Sequence, residues 1–284
     1  VPLTIYRVSD QHPWVVLIHG LGTTEKGWLS PLDERILFVS FKILLREEPE
    51  IVPFVERLKG EYNIATWTQN PYCSIDDAAR ELKALVESIS SKRMTFIAHS
   101  RGGLIARHAI QYYNIRPQTV ICLSTPHYGS MLADFTIKHF SLLQWVFPSL
   151  KEYKTSTNEL CTNSAFIKTL NTPEAIEREK DILHYDICGN SISFFHLIRT
   201  QSFKFFNIMR VCEKIIGNRI IPELKNGYGD GMTSVQSCRS PLTPEKNHIV
   251  LPVNHANILI DRRVWDSVKT ILHRYGDNRE EKVT

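Results

Sequence analysis

Short, unbroken runs of apolar and β-branched residues, closed by glycine or polar turns, recur along the first half of the chain. Val15-Val16-Leu17-Ile18 ends at His19-Gly20, and Tyr62 to Trp67, Met94 to Ala98 and Thr119 to Leu123 follow. Such runs, lacking polar alternation, predict strands covered on both faces of a parallel sheet. Between the second and third runs, Ser74 to Ser88 starts with a serine and Asp76-Asp77. It spaces Ala78, Leu82, Leu85, Val86 and Ile89 at helical intervals, which predicts a capped amphipathic helix. Gly103 to Tyr113 reads as another helix. Strand, helix, strand, helix, strand in this order predicts an open α/β sheet, with ligands at the carboxyl ends of its strands.

From 129 to 180 the alternation stops and the pattern becomes helical, rich in large apolar residues such as Leu132, Phe135, Leu142, Leu143, Trp145 and Phe147. A helical cap or lid inserted into one domain spanning 1–284 is expected there. The sheet resumes at Ile182 to Cys188, and a second helical insertion is expected over 191–226, where five phenylalanines gather between Phe194 and Phe206. A last strand falls near Ile249-Val250-Leu251, a closing helix over Ile258 to Tyr275, and a frayed polar end over Gly276 to Thr284.

Composition narrows the classes. At 284 residues, 43% hydrophobic and 23% charged, the chain can bury its own core without metal or disulfide support. A net charge of +4 with both signs interspersed gives no reason to expect nucleic acid. No run of about 18 apolar residues exists, so no membrane-spanning helix is expected. The chain starts at Val1 without a signal peptide, which fits a trimmed or a mature secreted form and leaves the compartment open. The six cysteines lack CxxC spacing, so zinc is not expected. Cys122 and Cys188 read as small buried hydrophobes, and one bridge among Cys161, Cys212 and Cys238 is open.

Candidate chemistry sits at the ends of the strand runs. A serine hydroxyl needs a base within hydrogen-bond reach, an acid to orient that base, and an exposed perch on a sharp strand-to-helix turn flanked by small residues. Ala98-His99-Ser100-Arg101-Gly102 supplies the turn, with Ala98 in place of the usual first glycine. His19-Gly20-Leu21-Gly22 ends the first strand, so the amides of Leu21 and Arg101 are the candidate oxyanion donors. For a base beyond the second half of the sheet, His255 lies in the loop after the last strand, whereas His248 precedes that strand. For the acid, Asp230 sits between two glycines in Gly229-Asp230-Gly231, whereas Asp186 lies inside a strand run.

These pieces resemble the bacterial triacylglycerol lipase and esterase branch of the α/β-hydrolases. The resemblance rests on Val16 to Gly22, Ala98 to Arg107, Ser124-Thr125-Pro126-His127-Tyr128-Gly129-Ser130 with Leu132-Ala133-Asp134, Gly229 to Val235, and Asn254-His255. It implies an α/β-hydrolase fold with a mostly parallel central sheet. It also implies nucleophile Ser100, acid Asp230, base His255, and an oxyanion hole from Leu21 and Arg101. Several such lipases bind calcium through an aspartate two positions after the catalytic histidine; here Asn257, a weaker ligand for a hard cation, stands there. No cofactor or metal is therefore expected, with calcium left open but disfavoured. The expected activity is hydrolysis of a small-molecule or lipid ester, with a lipid–water interface left open and no obligate protein partner. A serine amidase, thioesterase or acyltransferase would use the same triad. A non-catalytic binding protein on this fold would lack one of its members.

Overall fold

The computed structural model of the chain describes residues 3–36, 39–40, 51–89, 93–146, 148–192 and 221–277. Among the described residues, seven strands form the central sheet in the order β1-β5-β2-β6-β7-β8-β9. They are β1 (Leu3–Tyr6), β2 (Trp14–Ile18), β5 (Asn63–Trp67), β6 (Met94–His99), β7 (Thr119–Leu123), β8 (Leu183–Gly189) and β9 (His248–Leu251). β3 (Arg35–Ile36) and β4 (Val39–Ser40) pair separately. Only β1 runs antiparallel to its neighbour, β5; the other sheet pairings are parallel. β2 crosses to β5 on one side and pairs with β6 on the other, so the strand order reverses at β2/β6. Ligands gather outside the carboxyl ends of strands at such a point.

The unbroken apolar runs reflect burial on both faces. Alternate residues of a strand point to opposite sides. Val15, Leu17, Ile97, Ile121 and Ile187 pack with Val264, Val268 and Ile271 of the closing helix. Val16, Ile18, Phe96, Ala98 and Val120 pack instead with Ala78, Leu82, Leu104 and Ala109 of the helices on the other face. Each buried Val, Leu or Ile contributes roughly 1.5–3 kcal/mol relative to exposure.

Of the helices, α1 (Lys26–Leu29) and α2 (Phe54–Leu58) are short. The longer α3 (Ile75–Ile89) and α4 (Arg101–Tyr113) match the helical spacing, with α4 starting two residues earlier than the pattern suggests. Between β7 and β8 the described residues form five short α-helices: α5 (Met131–Lys138), α6 (Phe140–Val146), α7 (Lys154–Glu159), α8 (Ala165–Leu170) and α9 (Pro173–Glu177). Ser164 and Thr172 cap the last two by accepting from Ile167 N–H and Ala175 N–H. A fully buried Arg107–Glu179 pair (3.0 Å) ties the far end of this segment to α4. Of the expected second insertion, 193–220 with its phenylalanines lies outside the described residues, as does 278–284. No described helix is long and apolar enough to cross a membrane.

Two expectations need correction. Cys188 is not simply a small buried hydrophobe. It forms a disulfide with Cys238 in α10 (Val235–Cys238), while Cys161 is reduced and Cys212 lies outside the described residues. The closing helix, α11 (Arg262–Asp277), starts four residues later than the apolar pattern suggests. The Asp261 carboxylate accepts from Arg263 N–H (2.8 Å) and so starts the helix there, leaving Asn257–Leu259 as a single 3₁₀ turn.

Candidate active site

β6 ends at His99, α4 begins at Arg101, and Ser100 alone makes the turn between them, with φ 54° and ψ −126°. A non-glycine residue at positive φ costs of order 1–3 kcal/mol and persists where the surroundings enforce it. They do so here. Ser100 N–H donates to Leu123 O on β7 (2.8 Å), and Gly102 sits so close to β2 that a Cβ there would stand 2.5 Å from Ile18 O. A Cβ on Gly20 would lie 2.8 Å from Ser100 Cβ, so the loop after β2 touches the serine turn itself. Glycine at 20 and 102 is thus a requirement of close approach. Ser100 precedes the first turn of a 13-residue helix, where amides have no acceptor within the helix and the macrodipole favours negative charge.

Arg101 is that helix's first residue, and Leu21 follows Gly20, the residue whose close approach sets the loop after β2 against Ser100. The Gly20 carbonyl between them is turned aside, facing His19 Nδ1 (2.9 Å) and accepting from Thr23 Oγ1 (3.2 Å). A carbonyl only accepts, so Nδ1 carries the proton and His19 Nε2 is free to accept from Gln69 N–H (3.0 Å). Burial pushes His19 down to about 4, with its hydrogen bond to Gly20 opposing and the Arg101 charge adding to the fall.

His255 follows β9 and is held from three directions. Its N–H donates to Asp230 O (3.0 Å), its Nδ1 lies 2.8 Å from Asp230 Oδ2, and its carbonyl accepts from His99 Nε2 (3.1 Å). Since a carboxylate accepts, Nδ1 carries the ring proton and Nε2 keeps its lone pair. The His99 and His255 rings lie 4.8 Å apart, which sets His255 against the residue preceding Ser100. Burial, then the neighbouring His255 charge, push His99 well below the ordinary histidine value. Asp230 uses its other oxygen to accept from Met232 N–H (3.0 Å) and Thr233 N–H (2.8 Å). Its Cβ is pressed against Gly189, the end of β8, where an added Cβ would stand 2.8 Å from Asp230 Cβ.

The runners-up are elsewhere. Asp186 lies inside β8, bonded to His127 Nε2 (3.0 Å) and to Ser240 N–H (2.7 Å). Burial pushes the Asp186 carboxyl up, but the charge and hydrogen bond of His127, with bonds from Ser240 and Thr243, hold it below the usual range. His248 opens β9 directly across from Asp186, upstream of the carboxyl ends where Ser100 stands.

Cys122, His127 and Asp186 lie close enough together to surround a cation. Asp186 already spends both oxygens on protein donors, however, and no metal step is derived from them. At Asn257 the calcium ligand of the resembling lipases is an amide whose Oδ1 is buried without a partner. No cluster of three His, Cys, Asp or Glu ligands gathers there among the described residues.

Sequence reasoning missed His99, Gln69 and the Cys188–Cys238 pairing. Gln69 is a polar residue just past β5, at the strand end that also carries His19, and that placement was its available signal.

The family described as "Putative serine esterase (DUF676)" matches residues 9–178. That segment holds the loop after β2 and the Ser100 turn, but ends before Asp230 and His255. No curated protein matches the sequence. Among solved structures, the chain is similar to the mature Bacillus licheniformis lipase BlEst2, with TM-score 0.64 and 18% identity over 95% of this chain and 98% of that one. Against the propeptide form of that lipase the TM-score is 0.63 at 18% identity, covering 95% of this chain and 53% of that one. The metagenomic carboxyl esterase MGS0156 gives 0.55 at 13% identity, over 92% and 70%. At these identities the likeness is one of fold, an α/β-hydrolase fold.

Proposed function

Because the chain belongs to the DUF676 family of serine esterases, and is a serine hydrolase, we propose that it cleaves carboxylic esters through an acyl intermediate on Ser100. The observation that carries this reading is the His255–Asp230 contact at 2.8 Å. It commits Nδ1 to the acid and leaves Nε2 as the base, on a ring packed against the residue preceding Ser100.

In this scheme His255 Nε2 takes the Ser100 proton as Oγ attacks the ester carbonyl. The amides of Leu21 and Arg101 hold the oxyanion, at the positive end of α4. The protonated ring then gives its proton to the leaving alcohol. Water, deprotonated by the same nitrogen, releases the acid, while Asp230 keeps the ring in one tautomer and stabilises its charge. No step draws on a metal or cofactor. The segment between β7 and β8 presents Met131, Leu142 and Trp145 to solvent, with Trp145 84% exposed, which favours an ester with an apolar acyl chain.

Replacing Ser100 by Ala tests the reading. Hydrolysis of a p-nitrophenyl ester and labelling by an organophosphate should both be abolished with an unchanged thermal transition, and retained hydrolysis would refute it. A chain-length series from acetate to palmitate sorts lipase from esterase, and activity confined to acetate and butyrate would rule out the lipase version.

A further inference from the structure

The two segments that carry the candidate oxyanion amides come from different strands, yet a single buried side chain joins them. Gln69, 1% exposed, sits just past β5. Its Nε2 donates to His19 O (2.7 Å) and its backbone N–H to His19 Nε2 (3.0 Å), gripping the residue that begins the loop to Leu21. Its Oε1 accepts from Arg101 Nη1 (2.9 Å). The guanidinium is itself fully buried, and its Nη2 donates to Cys73 O (2.6 Å), a carbonyl that also accepts from Ser156 Oγ on α7 (3.1 Å).

We propose that Gln69 is a positioning residue for ester hydrolysis, fixing the separation and aim of the Leu21 and Arg101 amides by bridging His19 to the Arg101 guanidinium. The proposal rests on the serine hydrolase reading above. Backbone donors stabilise a transition state only when held where the oxyanion forms, and misplacement of about 1 Å can cost on the order of 100-fold. Glycines at 20 and 102 let the two segments meet, but they leave the loop after β2 without side-chain anchorage at that contact. The bridge supplies it. His19 completes the arrangement, because burial keeps the ring neutral and Nδ1–H is committed to Gly20 O, so Nε2 stays an acceptor for Gln69 N–H.

The test uses Gln69→Leu, Gln69→Glu and Arg101→Lys. All three keep both oxyanion amides, since these belong to the backbone. For each, kcat and KM are measured with a p-nitrophenyl ester. Binding is measured for an aryl trifluoromethyl ketone, which forms a tetrahedral adduct with the serine, and the thermal transition is recorded. Loss of one oxyanion donor typically costs 10²–10³ in kcat, so displacing one in Gln69→Leu should lower kcat by about 10–100-fold. KM should stay within about threefold, and ketone affinity should fall by the same factor as kcat. Gln69→Glu keeps the acceptor for Arg101 while losing the donor to His19 O, and its loss should be smaller than that of the leucine variant. Wild-type kcat and ketone affinity in a folded Gln69 variant, with only the melting temperature lowered, would overturn the proposal. If Gln69→Leu fails to fold, Gln69→Glu decides by the same readouts. The two levels separate cleanly: full activity in Ser100→Ala defeats the hydrolase reading, whereas an inactive Ser100→Ala beside fully active Gln69 variants defeats only the bridge.

Discussion

Two buried histidine–aspartate pairs of nearly equal length stand among the described residues, His255–Asp230 at 2.8 Å and His127–Asp186 at 3.0 Å. They differ in where the sheet puts them. His255 stands past the carboxyl end of β9, presents Nδ1 to its acid, and keeps Nε2 on a ring whose side chain is still 8% exposed. His127 presents Nε2 to its acid, has a fully buried side chain, and leaves Nδ1 buried without a partner. The same two residue types at the same spacing therefore do different work. At the strand ends the pair leaves a nitrogen open for the proposed proton transfer; inside the fold it fastens the Thr125–Gly129 turn to β8.

Mutations should drive the two pairs apart. The largest effect is expected from His255→Ala, which should lower kcat on a p-nitrophenyl ester by about 10⁵–10⁶-fold with little change in melting temperature. Asp230→Asn should follow at about 10⁴-fold, through loss of the correct tautomer. At the interior pair the sign of the experiment reverses. His127→Ala should leave kcat within a few-fold of wild type and cost about 3–5 kcal/mol of stability in denaturant titration, because it strands the buried Asp186 carboxylate. If His127→Ala lowers kcat a thousandfold in a protein of undiminished stability, the division of labour is wrong.

The Cys188–Cys238 bridge links the strand that carries Asp186 to the helix after the Asp230 loop. Its sequence separation of 50 predicts that Cys188→Ser with Cys238→Ser costs about 4 kcal/mol by the loop-entropy relation. An unchanged denaturation midpoint in the double variant would show that packing alone holds this loop.

A more gradual effect comes from pH. Burial pushes His19 to about 4 and, with the Arg107 charge adding to it, His184 to about 3, against 6.5 in an unfolded chain. Between pH 6.5 and these values the unfolded chain binds protons that the folded chain refuses, so stability is full above pH 6.5 and declines as pH falls toward 4. Each histidine contributes on the order of a few kcal/mol to that decline. A His184→Gln variant should show a shallower fall in melting temperature from pH 7 to 4, and an identical slope would remove His184 from this account.

Much of the candidate-site half of the comparison was legible in the sequence, and little of the interior half. Val15–Ile18 and Thr119–Leu123 announced buried strands because two-sided burial admits no polar alternation. The Ser100 turn was readable because strand, small residue and helix are adjacent in sequence. His127 and Asp186 are 59 positions apart and meet only through the pairing of β7 with β8, which no local pattern encodes. The disulfide was hidden for the same reason. β1 was missed because four residues alternating between exposed and half-buried, Leu3–Tyr6, give too short a signal. The late start of α11 was missed because the capping carboxylate of Asp261 outweighs an apolar periodicity that begins before it.

The hydrogen bond from His99 to the carbonyl of His255 spans 156 positions. During synthesis the Ser100 turn, its glycine contacts with the loop after β2 and its bond to Leu123 draw only on the first half of the chain, so they can form before β9 emerges, since chains fold from the amino end. The proposed base, His255, arrives only once the loop beyond β9 has left the ribosome. On the proposed mechanism, a nascent chain would carry Ser100 on its turn without a base, and so stay inert toward esters, until the segment through His255 has been made.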